Sequence, residues 1–88
     1  MIYPYELRKN VEQILFKLAN KNPKQLEIIE NKINEILQNP QHYKNLRNPL
    51  QHLKRVHIDK SFVLIFSVDE NSKRVIIEDY DHHDQIYK

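Results

Sequence analysis

The stretch LKRVHIDKSFVLIFSVDENSKRVIIEDY, residues 53–80, decides the fold. Val56 and Ile58 alternate with Arg55 and His57, the period of a strand with one wet face. Phe62 to Val68 is mostly apolar and too short for a buried helix, so it reads as a second strand. Asp69-Glu70-Asn71-Ser72 carries turn chemistry, and residues 74–80 form a third strand. Strands at 53–58, 62–68 and 74–80 joined by such short connections pair antiparallel, as a meander.

Upstream, the period changes to that of a helix. Leu7, Val11, Ile14, Leu15 and Leu18 fall on one face of a helix expected over residues 7–20. Asn22-Pro23 opens a second helix, residues 23–38, with Asn22 as N-cap, Pro23 at the first helical position and Gln25 reaching back. Its apolar side is Leu26, Ile29, Ile33, Ile36 and Leu37, and Pro40 ends it. The expected architecture is α+β: an N-terminal helical hairpin packed on a small antiparallel sheet. Ile2 to Tyr5 are a candidate edge strand, limited by Pro4.

Eighty-eight residues make one domain, 1–88, with a modest core. Hydrophobic residues at 40% and charged residues at 30% indicate a folded chain rather than a disordered one. The longest apolar run is Phe62 to Phe66, far below the roughly 20 residues of a membrane span, and no signal-type segment opens the chain. A cytoplasmic protein without a membrane partner is expected. Cysteine is absent, which excludes disulfides, thiolate zinc sites and cysteine nucleophiles. Glycine is also absent, which excludes the Gly-rich loops that cradle nucleotide phosphates. No cofactor is expected.

The net charge is only +2, but its distribution is uneven. Lys44, Arg47, Lys54, Arg55 and Lys60, with His52 and His57, face one acid, Asp59, over residues 43–60. Glu78, Asp79, Asp81 and Asp84 crowd the C-terminal part. The basic segment is either a local polyanion site or a solvated charged surface.

Three passages in order carry a resemblance. Tyr43-Lys44-Asn45-Leu46-Arg47-Asn48-Pro49-Leu50 resembles the "K-L-R-G-P-L" passage of the RelE/ParE toxin superfamily. LKRVHIDKSFVLIFSVDE is similar to that superfamily's strand pair and acidic turn, and His82-His83-Asp84-Gln85-Ile86-Tyr87 looks like its closing "H-R-x-x-V-Y". The resemblance implies the RelE-like microbial RNase fold and a type II toxin neutralised by a cognate, RelB-like antitoxin. It also implies one of two activities: cleavage of mRNA in the ribosomal A site, as in RelE-like and YafQ-like toxins, or inhibition of gyrase, as in ParE-like toxins. A toxin degenerate to antitoxin binding is a third outcome. Val56-His57-Ile58-Asp59 with His83 and Tyr87 resembles the YafQ-like pattern, in which histidines do the acid–base work. Two departures stand out: Val63 occupies a position where many RelE-type sequences have arginine, and Ser61-Phe62 replaces the YafQ-like aspartate–tryptophan pair.

Metal-free RNA cleavage needs a base for the 2′-hydroxyl, an acid for the leaving 5′-oxygen and cations for the phosphorane charge. Imidazole suits both proton roles, with an ordinary pKa of about 6.5. The catalytic candidates are therefore His57, His83 and Tyr87, the last as a stacking partner for a base, with His82 as a further candidate. Arg47, Lys54, Arg55, Lys60 and Phe62 are candidates for contact with RNA and its phosphates. Strand alternation sets Arg55 beside His57 on the face away from the helices. Arg47 either binds phosphate or holds its loop, and Lys54 shares the inward parity of Val56, which suits a sheet edge or an antitoxin contact. His82 and His83 lie beside Asp81 and Asp84 but lack the ordered spacing of structural zinc sites, so no metal is assigned.

Overall fold

A computed structural model describes residues 2–86, the last of them by its backbone only. β2 (Lys54–Ile58), β3 (Phe62–Asp69) and β4 (Arg74–His82) form the expected antiparallel meander. The hairpin is α1 (Lys9–Lys21) and α2 (Pro23–Gln38), with Asn22 Oδ1 accepting from the Gln25 N–H at 3.3 Å as the N-cap. A 3₁₀ turn, Pro40–His42, leaves α2.

The sheet departs from the expected one at its edge. Tyr5–Leu7 form the first strand, β1, which starts where the candidate edge ends, and pair parallel with β4 through Tyr5–Val75, Glu6–Ile76 and Leu7–Ile77. The sheet is thus mixed, in the order β1-β4-β3-β2. Leu7 belongs to this strand rather than to α1. Its spacing from Val11 is helical, but the Arg8 N–H donates to the Ile77 carbonyl at 3.0 Å, and α1 begins only after it.

Between the helices and the sheet, Val11, Ile29, Ile33, Ile36 and Leu37 meet Ile58, Leu64, Phe66, Val75, Ile77 and Tyr80. In β3 the even-numbered residues Phe62, Leu64 and Phe66 face this layer, as period 2 requires. A register shift between Ile65 and Phe66 leaves Glu78 as the extra residue of β4, opposite no partner of its own. Without glycine, the left-handed turn positions fall to Asp59 (φ 57°) and Lys73 (φ 54°). Asp69 Oδ1 accepts from the Asn71 N–H at 3.0 Å, an aspartate turn at the β3–β4 connection. Among the described residues, no helix is long and apolar enough to cross a membrane.

Candidate RNA interface and histidine cluster

The long connection between the 3₁₀ turn and β2 is built more tightly than its sequence shows. Lys54 is only 7% exposed, and its ammonium donates to the Tyr43 carbonyl at 2.9 Å and to Asn45 Oδ1 at 2.7 Å. The Leu46 N–H donates to the Leu53 carbonyl at 2.8 Å, the Asn45 side-chain amide to the Gln51 carbonyl, and the Leu50 N–H to the Arg47 carbonyl at 2.8 Å. Residues 43–53 therefore form a clipped loop. It lies over the sheet face turned away from the helices, where Leu46, Leu50 and Leu53 line a cavity with Ile65. That cover explains why Ile65 is buried although it pairs with exposed Arg55.

Register places the rest of this face in rows. Arg55, Ile65 and Asp79 form one row; His57, Val63 and Asp81 form the next. Arg55 and His57 are both exposed and share one side of β2, as their parity predicts. Asp79 and Asp81 stand two strands away, about 10 Å at the usual interstrand spacing. This is close to the screening length of about 8 Å at physiological salt, so they partly offset the positive potential of β2. These two are part of the acidic crowd near the C-terminus, and the alternation Asp79-Tyr80-Asp81 turns both to this face. Val63 is fully buried in the second row, between His57 and Asp81, an aliphatic residue where the resemblance expects a cation.

A second cavity, about 620 Å³, opens between the loop and β2. Lys44, Arg47 and Arg55 ring it, and Leu46 and Leu50 form its apolar part. The structure thus brings Arg47 and Arg55 together and adds Lys44, which the sequence places in the basic segment but not among the single candidates.

The histidines gather at one end of the sheet. The chain turns from β4 into α3 (His83–Ile86), and the His83 N–H donates to the Ser61 carbonyl at 2.9 Å, tying this turn to the β2–β3 connection that holds Lys60. His57 lies near the same end, through its pairing with Val63. His82 Nδ1 is 3.6 Å from Asp84 Oδ2, and His83 Nε2 is 3.3 Å from Asp84 Oδ1. Among the described residues this is the one group whose donor atoms, all within 4.8 Å, could share a cation. Asp84 was not among the sequence candidates. The nearby Tyr80 hydroxyl is buried without a hydrogen-bond partner among the described residues, and burial, with Asp59 and Asp81 close by, pushes its pKa up to about 12.

Two candidates do not fit the roles read from sequence. Lys54 points inward and spends its charge on the loop, so a phosphate contact does not fit its burial. Phe62 lies on the helix side, stacked on Tyr80 at 5.4 Å and edge-on to His82 at 5.5 Å, on the opposite face from Arg55 and His57. Tyr87 lies outside the described residues.

The sequence profile for the ParE toxin of the type II toxin–antitoxin system parDE matches residues 5–87. A Methanosarcina mazei protein described as uncharacterized is 59% identical over 98% of this chain and 100% of its own length. A Methanocaldococcus jannaschii protein provisionally named toxin RelE4 is 58% identical over 99% of this chain and 93% of its own length. Among solved structures, the Mycobacterium tuberculosis toxin–antitoxin complex RelBE2 contains a chain of the same fold. Its TM-score is 0.76 at 21% identity, over 94% of this chain and 100% of that one. With a profile match across nearly its whole length and these relatives, the chain belongs to the RelE/ParE superfamily of type II toxins.

Proposed function

We propose that this toxin is an endoribonuclease that cleaves mRNA in the ribosomal A site without a metal ion, and that a cognate RelB-like antitoxin neutralises it. The observation that carries the reading is the exposed His57–Arg55 pair on the sheet face away from the helices, with His83 tied to the same sheet end. In the proposed step one imidazole takes the 2′-hydroxyl proton and the 2′-oxygen bonds to phosphorus. The P–O5′ bond breaks, and the second imidazole, as imidazolium, protonates the departing 5′-oxygen. The products are a 2′,3′-cyclic phosphate and a 5′-hydroxyl. Arg55, Arg47 and Lys60 offset the phosphorane charge, and Tyr87 stacks on a neighbouring base. A nuclease acting on ribosomes and messages belongs in the cytoplasm.

The second reading is a ParE-like toxin that inhibits gyrase without cleaving RNA. Asp79 and Asp81, in the rows of Arg55 and His57, favour it, whereas Val63 favours a toxin reduced to antitoxin binding. In vitro translation with purified protein, followed by primer extension on the message, separates the two. A discrete cut inside the stalled codon supports the nuclease. Intact message with trapped DNA breaks in a gyrase assay supports the second reading, and neither effect leaves a toxin reduced to antitoxin binding. Coexpression with the neighbouring short reading frame tests the antitoxin: unrelieved toxicity and no complex would remove that partner.

A further inference from the structure

We infer that the cavity between the 43–53 loop and β2 seats one nucleotide of single-stranded RNA, and that it does so without the ribosome. The phosphate lies among Lys44, Arg47 and Arg55, and the base lies against Leu46 and Leu50. The inference deepens the nuclease reading and rests on its choice of RNA as the ligand.

Three features of the cavity select this ligand. Its volume, about 620 Å³, lies within the roughly 300–1,000 Å³ of small-ligand sites. Among the described residues, its lining contains three cations, contributed by two different elements, and no acid. The neighbouring cavity under the same loop is lined by Glu78 and Asp79, so the absence of acids here is local rather than general. The cations accompany two leucines, Leu46 and Leu50, the latter 46% exposed and so open to contact. Cations alone would suit any anion. Cations beside an apolar wall suit an anion joined to a flat apolar group, which describes a nucleotide better than free phosphate or an acidic peptide.

The site is also held in place. Lys54 and Asn45 clip the loop's base, and the Leu46–Leu53 backbone bond spans it. Little order remains to be lost on binding, which favours affinity. Arg55 is two residues along β2 from His57, about 7 Å at the rise of a strand. A nucleotide seated on Arg55 is thus a neighbour of the one presented to His57, and the cavity selects the residue flanking the cut.

The test is fluorescence anisotropy of a labelled five-nucleotide RNA with purified toxin, no ribosomes present, over a potassium chloride series. Each phosphate contact on a single strand contributes about 0.7 to the slope of log affinity against log salt. Lys44→Gln and Arg47→Gln should each weaken binding several-fold and lower that slope by about 0.7. Leu50→Ser should weaken binding several-fold at an unchanged slope, because it removes contact and not charge. Adenosine monophosphate should compete better than inorganic phosphate. All these residues except half-buried Leu46 are exposed, and circular dichroism confirms that each variant is folded. Unchanged slopes in both cation variants, or competition by inorganic phosphate or an acidic peptide as strong as by the nucleotide, would overturn the proposal, as would no binding by the native protein. Binding as described with no cleavage on ribosomes would instead sink the nuclease reading and leave the nucleotide site standing.

Discussion

The Lys54 ammonium stands 2.7 Å from Asn45 Oδ1, inside the protein rather than on its surface. Among the described residues Lys54 is the one buried lysine or arginine, and this cation holds the loop over the sheet. It acts on the nucleotide cavity through geometry, not through contact with phosphate.

Lys54→Met keeps the aliphatic stem and removes the donor. It leaves the Tyr43 carbonyl and Asn45 side chain short of a partner, where hydrogen bonds to charged groups contribute about 1.5–3 kcal/mol. The melting temperature should fall by roughly 10 °C for a domain of this size. The Leu46 and Leu53 amides, which bond within the loop, should exchange faster with solvent. Native protection at those amides would show that the loop does not depend on this contact.

His57→Ala and His83→Ala should each reduce mRNA cleavage by about 10²–10⁴-fold if they are the acid–base pair. The double variant should fall short of the product of the two losses, because residues acting together are not additive. Arg55→Ala should cost less than either, with Lys44 and Arg47 close by. Full cleavage by the double variant would return both histidines to the solvated surface.

Glu78 gives a prediction for acid. Burial opposes its ionised form, but hydrogen bonds from Arg8 and Ser67 and the charge of Arg8 outweigh it, holding the carboxyl below its ordinary value of 4.5. A carboxyl whose folded pKa is depressed contributes stability above its unfolded pKa and loses it as pH falls through the folded one. Stability should therefore drop from about pH 4.5 downward. In Glu78→Gln that part of the drop should disappear, measured by urea unfolding at pH 7, 4 and 3. An identical acid limb in the variant contradicts the assignment.

Tyr80 gives the opposite limb. Its phenol is held neutral up to about 12, so its contribution is complete below the ordinary value of 10 and is lost as pH rises through 12. Tyr80→Phe should flatten the alkaline limb. Because the hydroxyl is buried without a partner among the described residues, the variant should be as stable as the native protein at neutral pH, or more so by about 1–3 kcal/mol. The ring stack on Phe62 is retained. A clear loss of stability at pH 7 would mean that the hydroxyl has a partner after all.

Much of the fold was legible because period and punctuation agreed. The three meander strands and the Asn22-Pro23 helix start stand within two residues of their sequence boundaries. β1 was misplaced because a three-residue strand has little period of its own and its partner lies far along the chain. The site was legible only in part. Strand parity set Arg55 and His57 on one face correctly, and the same parity, applied to Phe62, would have sent it inward with Leu64 and Phe66. Lys54 was given its inward parity and still counted as a phosphate ligand, because alternation says nothing of the carbonyls a loop brings to meet it. Lys44 was legible as part of the basic segment, and only the loop's path sets it beside Arg47 and Arg55.

The parallel pairing of β1 with β4 has a consequence for the making of the protein. Arg8 and Glu78, joined at the end of that pairing, are separated by 70 positions, and the ribosome delivers them in that order. Until β4 has been made, β1 has no neighbour, and the apolar faces of α1 and α2 have no completed sheet to cover. Closing so long a loop adds little to its entropy relative to a loop half as long, but contacts between distant segments form late and slow folding. For most of its synthesis the nascent toxin is therefore an open chain, exposed to chaperones and proteases, and it reaches its finished form in one late step.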